Sequence, residues 1–166
     1  MATTPARKRI RLEGYDYSEP GGYFVTICSY QRKLIFGEVK DQLFLPTGLG
    51  RIVIGNLGRL GMYFRSVRVG EFAVMPNHLH MLVYFSAQAA PNRTTLPMVI
   101  SRFKALVTNH AHKIHFDEPI WQRNYYEHVV RDSKDEQRII EYIQMNPLLW
   151  PEDENNPEKK VSSRQG

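Results

Sequence analysis

The sequence holds a single cysteine, Cys28, so no disulfide can close within the chain, and neither a cysteine-rich zinc module nor a stapled secreted scaffold is open to it. No apolar run approaches the roughly 20 residues needed to span a bilayer. The opening MATTPARKRIRLEG lacks the apolar segment of a signal peptide, so a reducing, cytoplasmic setting without membrane attachment is the expectation. There is no GxxxxGK phosphate loop and no internal repeat. What is present suits one core: 166 residues, 42% hydrophobic and 11% aromatic. The formal net charge is +5, and Arg7, Lys8, Arg9 and Arg11 crowd the start. Such an arm suits a polyanion, and equally a solvated terminus.

Turn signals and periodicity divide the chain. Residues 21–31, GGYFVTICSYQ, read as a first strand after the turn signal SEPGG, and QRKLIFGEV is expected to return beside it as an antiparallel neighbour. From Pro46 to Arg65, Leu49, Val53, Leu57, Leu60 and Phe64 recur at helical spacing, although Gly50, Gly55, Gly58 and Gly61 weaken the propensity. Residues 67–85 form one long strand or two joined near Pro76. After a polar loop, LPMVISRFKALVTNHAHKI reads as a second helix with Met98, Phe103, Leu106 and Val107 toward the core and Arg102 and Lys104 off that face. Residues 124–132 give a further strand. SKDEQRIIEYIQMNP is a third helix, opened by a Ser133–Glu136 capping box and stopped at Pro147. The fold class that follows is α+β: a ferredoxin-like or RRM-like antiparallel sheet with helices packed on it. The expected organisation is a basic arm over 1–14, one folded domain over 15–149 and a polar flexible tail without core residues over 150–166.

One stretch, VMPNHLHMLV, carries the chemistry. Side chains alternate along a strand, so Leu79, Met81, Val83 and Phe85 can face a core while His78 and His80 project together from the other side. Two imidazoles at that spacing can reach one metal ion, or can be ordinary hydrogen-bonded histidines on a half-exposed strand. The third helix presents Tyr142 and Asn146 at i and i+4 on the flank of its Ile139, Ile140 and Ile143 stripe, which sets a phenol beside an amide oxygen.

MPNHLHMLV resembles the HUH motif (histidine, hydrophobic residue, histidine), and EYIQMNP resembles the tyrosine helix of the one-tyrosine HUH transposases of the smallest insertion sequences. GYFVTIC, GRIV, AVMPNHLH, WQRNYYEHVVRD and YIQMNP, in that order, resemble the REP-associated tyrosine transposases over about Tyr15 to Pro147. The resemblance implies a DNA transposase and endonuclease that cleaves and rejoins single-stranded hairpin DNA through a 5′-phosphotyrosine link. Tyr142 would be the nucleophile, and His78, His80 and Asn146 would hold Mg²⁺ or Mn²⁺. No nucleotide cofactor is implied, because one phosphodiester is exchanged for another. For DNA contacts the candidates are Arg7, Lys8, Arg9 and Arg11 of the arm, with Arg102 and Lys104 on the second helix. Tyr125 and Tyr126 are rival nucleophiles and His128 a rival ligand by residue type, but they sit on a strand without an i+4 amide and read as structural or substrate-positioning residues. A monomer is expected rather than a homodimer with exchanged tyrosine helices. Two alternatives share the sequence features: a non-catalytic single-strand binding module using GYFVTI as a stacking strand, and an HUH replication or mobilisation initiator.

Overall fold

The structure, a computed structural model, describes residues 12–88 and 93–162. The arm residues Arg7, Lys8, Arg9 and Arg11 lie outside the described residues. Four strands, β1 (Gly21–Cys28), β4 (Val67–Met75), β5 (His78–Phe85) and β6 (Tyr126–Val129), form one antiparallel sheet in the order β4-β5-β1-β6. This is the ferredoxin-like order expected from the sequence. A separate hairpin joins β2 (Gly37–Lys40) to β3 (Leu43–Pro46), and the helices are α1 (Gly48–Arg59), α2 (Leu96–His112), α3 (Ser133–Leu149) and the short α4 (Pro157–Ser162). None is long and apolar enough to cross a membrane.

Strand alternation decides the layers. Tyr23, Val25 and Ile27 of β1 and Leu79, Met81 and Val83 of β5 face Val53 and Leu57 of α1 and Val99, Phe103 and Val107 of α2, which together make the main core. The opposite face of β5 packs through Leu82 against Ile139 and Ile143 of α3. His78 and His80 belong to this second face, so the helix carrying Tyr142 and the strand carrying the histidines are adjacent layers.

Several expectations are corrected. Residues 37–40 pair with 43–46 and not with β1, whose two neighbours are β5 and β6. Asp41 and Gln42, both at positive φ (51° and 64°), make a tight two-residue turn that closes the hairpin on itself. The first strand ends at Cys28, because Gln31 and Arg32 also take positive φ and break the extended chain. Met98 is exposed, since Val99, Ile100 and Phe103 set the phase of α2. Asp132, and not Ser133, caps α3 by accepting from the Asp135 amide at 2.9 Å, and the helix runs through Pro147 to Leu149. The segment after α3 is no loose tail: Trp150, Asn155 and Asn156 are buried.

The glycines of α1 have one clear reason among them. A Cβ at Gly50 would lie 1.9 Å from the Phe36 carbonyl oxygen, so the helix can approach the β1–β2 connection only without a side chain there. Gly50→Ala is therefore expected to destabilise the protein by about 1–3 kcal/mol, measured by urea denaturation; unchanged stability would contradict this packing.

Candidate active site

The turn Pro76-Asn77 delivers the first histidine. Asn77 is fully buried and its Nδ2 donates to the carbonyls of Arg32 (3.1 Å) and Asn155 (2.8 Å), which fixes the amide so that Oδ1 faces His78 Nδ1 at 2.9 Å. An amide oxygen only accepts, so Nδ1 of His78 carries the hydrogen and Nε2 presents a bare lone pair. His80 is held from the neighbouring strand: Thr26, its cross-strand partner on β1, places Oγ1 2.7 Å from His80 Nδ1. The two imidazole rings stand edge to face, 4.7 Å between centroids.

α3 completes the group. The Tyr142 ring lies 5.3 Å from that of His80 and 6.1 Å from that of Phe24, and Tyr142 remains 43% exposed. One turn on, Asn146 is 2% exposed, and its Nδ2 donates to the Tyr142 carbonyl at 2.8 Å. That bond occupies the amide nitrogen within the helix and leaves Oδ1 for the site. Among the described residues, His78 Nε2, His80 Nε2 and Asn146 Oδ1 are buried without a hydrogen-bond partner. Three such orphans on adjacent side chains are unusual, because a buried polar atom left unpaired is costly.

Two neutral nitrogens and one amide oxygen suit a divalent cation such as Mg²⁺ or Mn²⁺, with positions left for substrate oxygens. Among the described residues no three His, Cys, Asp or Glu side chains are already gathered into a metal site, and the third unpartnered donor beside the two histidines is the Asn146 amide oxygen. Burial pushes the His78 imidazole down to about 4, against the opposing pull of the Asp153 carboxylate. Burial and the neighbouring His78 hold His80 well below the ordinary histidine range. Both rings are neutral at pH 7, the form that binds metal. Burial, and next the Asp153 carboxylate, raise the Tyr142 phenol above its usual value, while the Asn146 amide opposes them.

The lowered histidines give a pH dependence whose sign is fixed. Unfolded imidazoles take up protons near pH 6.5, whereas folded His78 does so only near pH 4. Stability of the metal-free protein is therefore full above about pH 6.5 and falls as the pH drops toward 4, by up to roughly 3 kcal/mol for His78. Urea denaturation of the metal-free protein at pH 7 and pH 4.5 measures it; a loss just as large in His78→Gln would contradict the assignment.

Tyr142 and His80 line a cavity of about 500 Å³ together with Phe24, Thr26, Cys28, Arg32, Tyr126, Glu154 and Asn155. Tyr126 thus reaches the site from β6, while Tyr125 is buried and His128 Nε2 is engaged by Asp135 at 2.7 Å. Arg102 and Lys104 lie on α2, in the layer across the sheet from the histidines. Arg102 sits over the Tyr63 ring at 5.1 Å, and Lys104 Nζ donates to the Gln122 carbonyl at 2.7 Å. Neither is brought to the cavity. Sequence reasoning missed Thr26, Asn77 and the segment carrying Asp153. Asn77 could have been found beside the histidine pair, whereas Thr26 becomes visible only once the strand register is known.

A family profile described as "Transposase IS200 like" matches residues 23–146, a span that holds His78, His80, Tyr142 and Asn146 but not the segment carrying Asp153. A Haemophilus influenzae protein of uncharacterized function is 38% identical over 165 residues, covering 89% of this chain and 92% of that one. A second protein of the same organism, provisionally named a REP-associated tyrosine transposase, is 28% identical over 85 residues, 45% of this chain and 46% of that one. A solved structure of a REP-associated tyrosine transposase bound to a REP hairpin superposes with a TM-score of 0.60 at 18% identity, covering 83% of this chain and 72% of that one. This last similarity shows a shared fold.

Proposed function

This chain belongs to the IS200-like transposase family, and from that premise we propose that it cleaves and rejoins single-stranded hairpin DNA with Tyr142 as the nucleophile. The observation that carries the reading is the convergence, within one chain, of the Tyr142 ring with two histidines and an asparagine whose free donor atoms are buried without partners. His78, His80 and Asn146 would hold Mg²⁺ or Mn²⁺, which when bound supplies charge stabilisation at a phosphodiester. The Tyr142 oxygen attacks phosphorus, forming the tyrosyl ester and breaking the bond to the 3′ oxygen, while the phenolic proton leaves through the open cavity to solvent and water there returns a proton to the departing 3′ oxygen. The freed 3′-hydroxyl later attacks the tyrosyl ester and restores a phosphodiester. Bonds of like energy are exchanged, so no nucleotide is consumed. Arg32 offers the cavity a cation for backbone phosphate, and Phe24 and Tyr126 offer aromatic faces to unpaired bases.

The hairpin substrate is supported by the solved structure of similar fold, which is bound to a REP hairpin. A monomeric active form is supported by the meeting of tyrosine and histidines in the same chain. The test is a hairpin oligonucleotide with a single-stranded flank, incubated with the protein and Mn²⁺ and run on a denaturing gel. Label at the 3′ end should migrate with the protein and label at the 5′ end should appear as a shorter free strand. Label partitioning the other way, or no adduct with any flank, overturns the reading.

A further inference from the structure

We propose that Asp153 contributes a carboxylate ligand to the same cation, so that the segment following α3 closes the metal site; this rests on the metal reading of His78, His80 and Asn146. Asp153 Oδ2 lies 3.6 Å from His78 Nε2, and its side chain is 8% exposed. The tautomer fixed by Asn77 leaves Nε2 without a hydrogen, so two lone-pair atoms face each other with no donor between them. That arrangement is unfavourable unless a positive charge lies against both. Two ligands bound at about 2.1 Å to one ion stand roughly 3.0–3.5 Å apart in octahedral or tetrahedral geometry, close to the separation seen.

The aim of the carboxylate is built in. Asp153 Oδ1 accepts from the Asn155 amide at 2.7 Å, which turns Oδ2 toward the histidine. Asn155 is clamped in turn: its carbonyl accepts from Asn77 Nδ2 at 2.8 Å, and its side-chain oxygen accepts from Arg32. Asn77 thus orients one ligand directly and holds the backbone that orients another. Charge points the same way, because two imidazoles and an amide are neutral and a buried carboxylate offsets part of a dication's charge. Its hard oxygen favours Mg²⁺ or Mn²⁺ over softer metals.

The test is calorimetric titration of Mn²⁺ into the full chain, comparing wild type, Asp153→Asn, Asp153→Cys and His80→Ala, with metal-free melting temperatures alongside. Asp153→Asn retains Oδ1 and the turn it caps, so its metal-free melting temperature should not fall while Mn²⁺ affinity drops about 10- to 100-fold. Asp153→Cys should lose Mn²⁺ and gain Cd²⁺, with a thiolate-to-metal absorption band absent from wild type. Wild-type Mn²⁺ affinity in Asp153→Asn, or Cd²⁺ binding to Asp153→Cys without that band, overturns the role of Asp153 and leaves the three-residue site standing. No Mn²⁺ binding by wild type that His80→Ala removes would overturn the metal reading itself, and this inference with it.

Discussion

Tyr142→Phe is expected to abolish the covalent protein–DNA adduct and to lower single-strand cleavage by on the order of 10⁴-fold or more, the scale of losing a nucleophile outright. The substitution keeps the ring and with it the edge-on contacts to His80 and Phe24, so the fold and the affinities for Mn²⁺ and hairpin should persist. Only the attacking oxygen is gone. Because burial raises the phenol above its usual value, wild-type cleavage should climb with pH through the neutral range as the reactive phenolate becomes more accessible. Tyr126 is the informative control, since it lines the same cavity from β6. An adduct that persists in Tyr142→Phe and disappears in Tyr126→Phe would transfer the nucleophile to the sheet.

The second large effect concerns metal binding. At 100 times its dissociation constant, Mn²⁺ should stabilise the wild-type protein by about 2.7 kcal/mol, raising the melting temperature by roughly 5–10 °C for a chain of this size. In His80→Ala that shift should nearly vanish and metal-dependent cleavage with it. The metal-free melting temperature should fall as well, because the substitution empties the space of a buried ring and removes the 2.7 Å contact with Thr26 Oγ1, so the Mn²⁺-induced shift and not the absolute melting temperature is the readout. A Mn²⁺ shift of wild-type size in His80→Ala would show that the ion binds elsewhere.

What could be read from the sequence followed periodicity. A two-residue repeat placed His78 and His80 on one face of β5, and an i, i+4 relation placed Tyr142 beside Asn146; both are properties of one element and survive without knowledge of its neighbours. The helices were legible for the same reason, although Met98 shows how one residue of phase error escapes detection where α2 has apolar residues on two adjoining faces. The β2–β3 hairpin was not legible. Its closure depends on positive φ at Asp41 and Gln42, neither of them glycine, so the turn signal is weak and the sequence alone favours pairing with the main sheet. Least visible was the segment after α3. PEDENNPEKK reads as solvated by composition, yet Asn155 is buried with its carbonyl accepting from the Asn77 side chain and its side-chain oxygen from Arg32, Asn156 is buried donating to the Trp150 carbonyl, and polar burial of that kind has no periodic signature. Thr26 and Asn77 share that property, since each earns meaning only through the histidine it touches.

Pulsed electron paramagnetic resonance of the Mn²⁺-loaded full chain, with and without ¹⁵N-labelled histidine, reads the central arrangement directly. Two directly bound imidazole nitrogens in wild type, with couplings that change on ¹⁵N labelling and are lost in His80→Ala, are the predicted result. A spectrum of bound Mn²⁺ with no histidine nitrogen coupling would contradict the account.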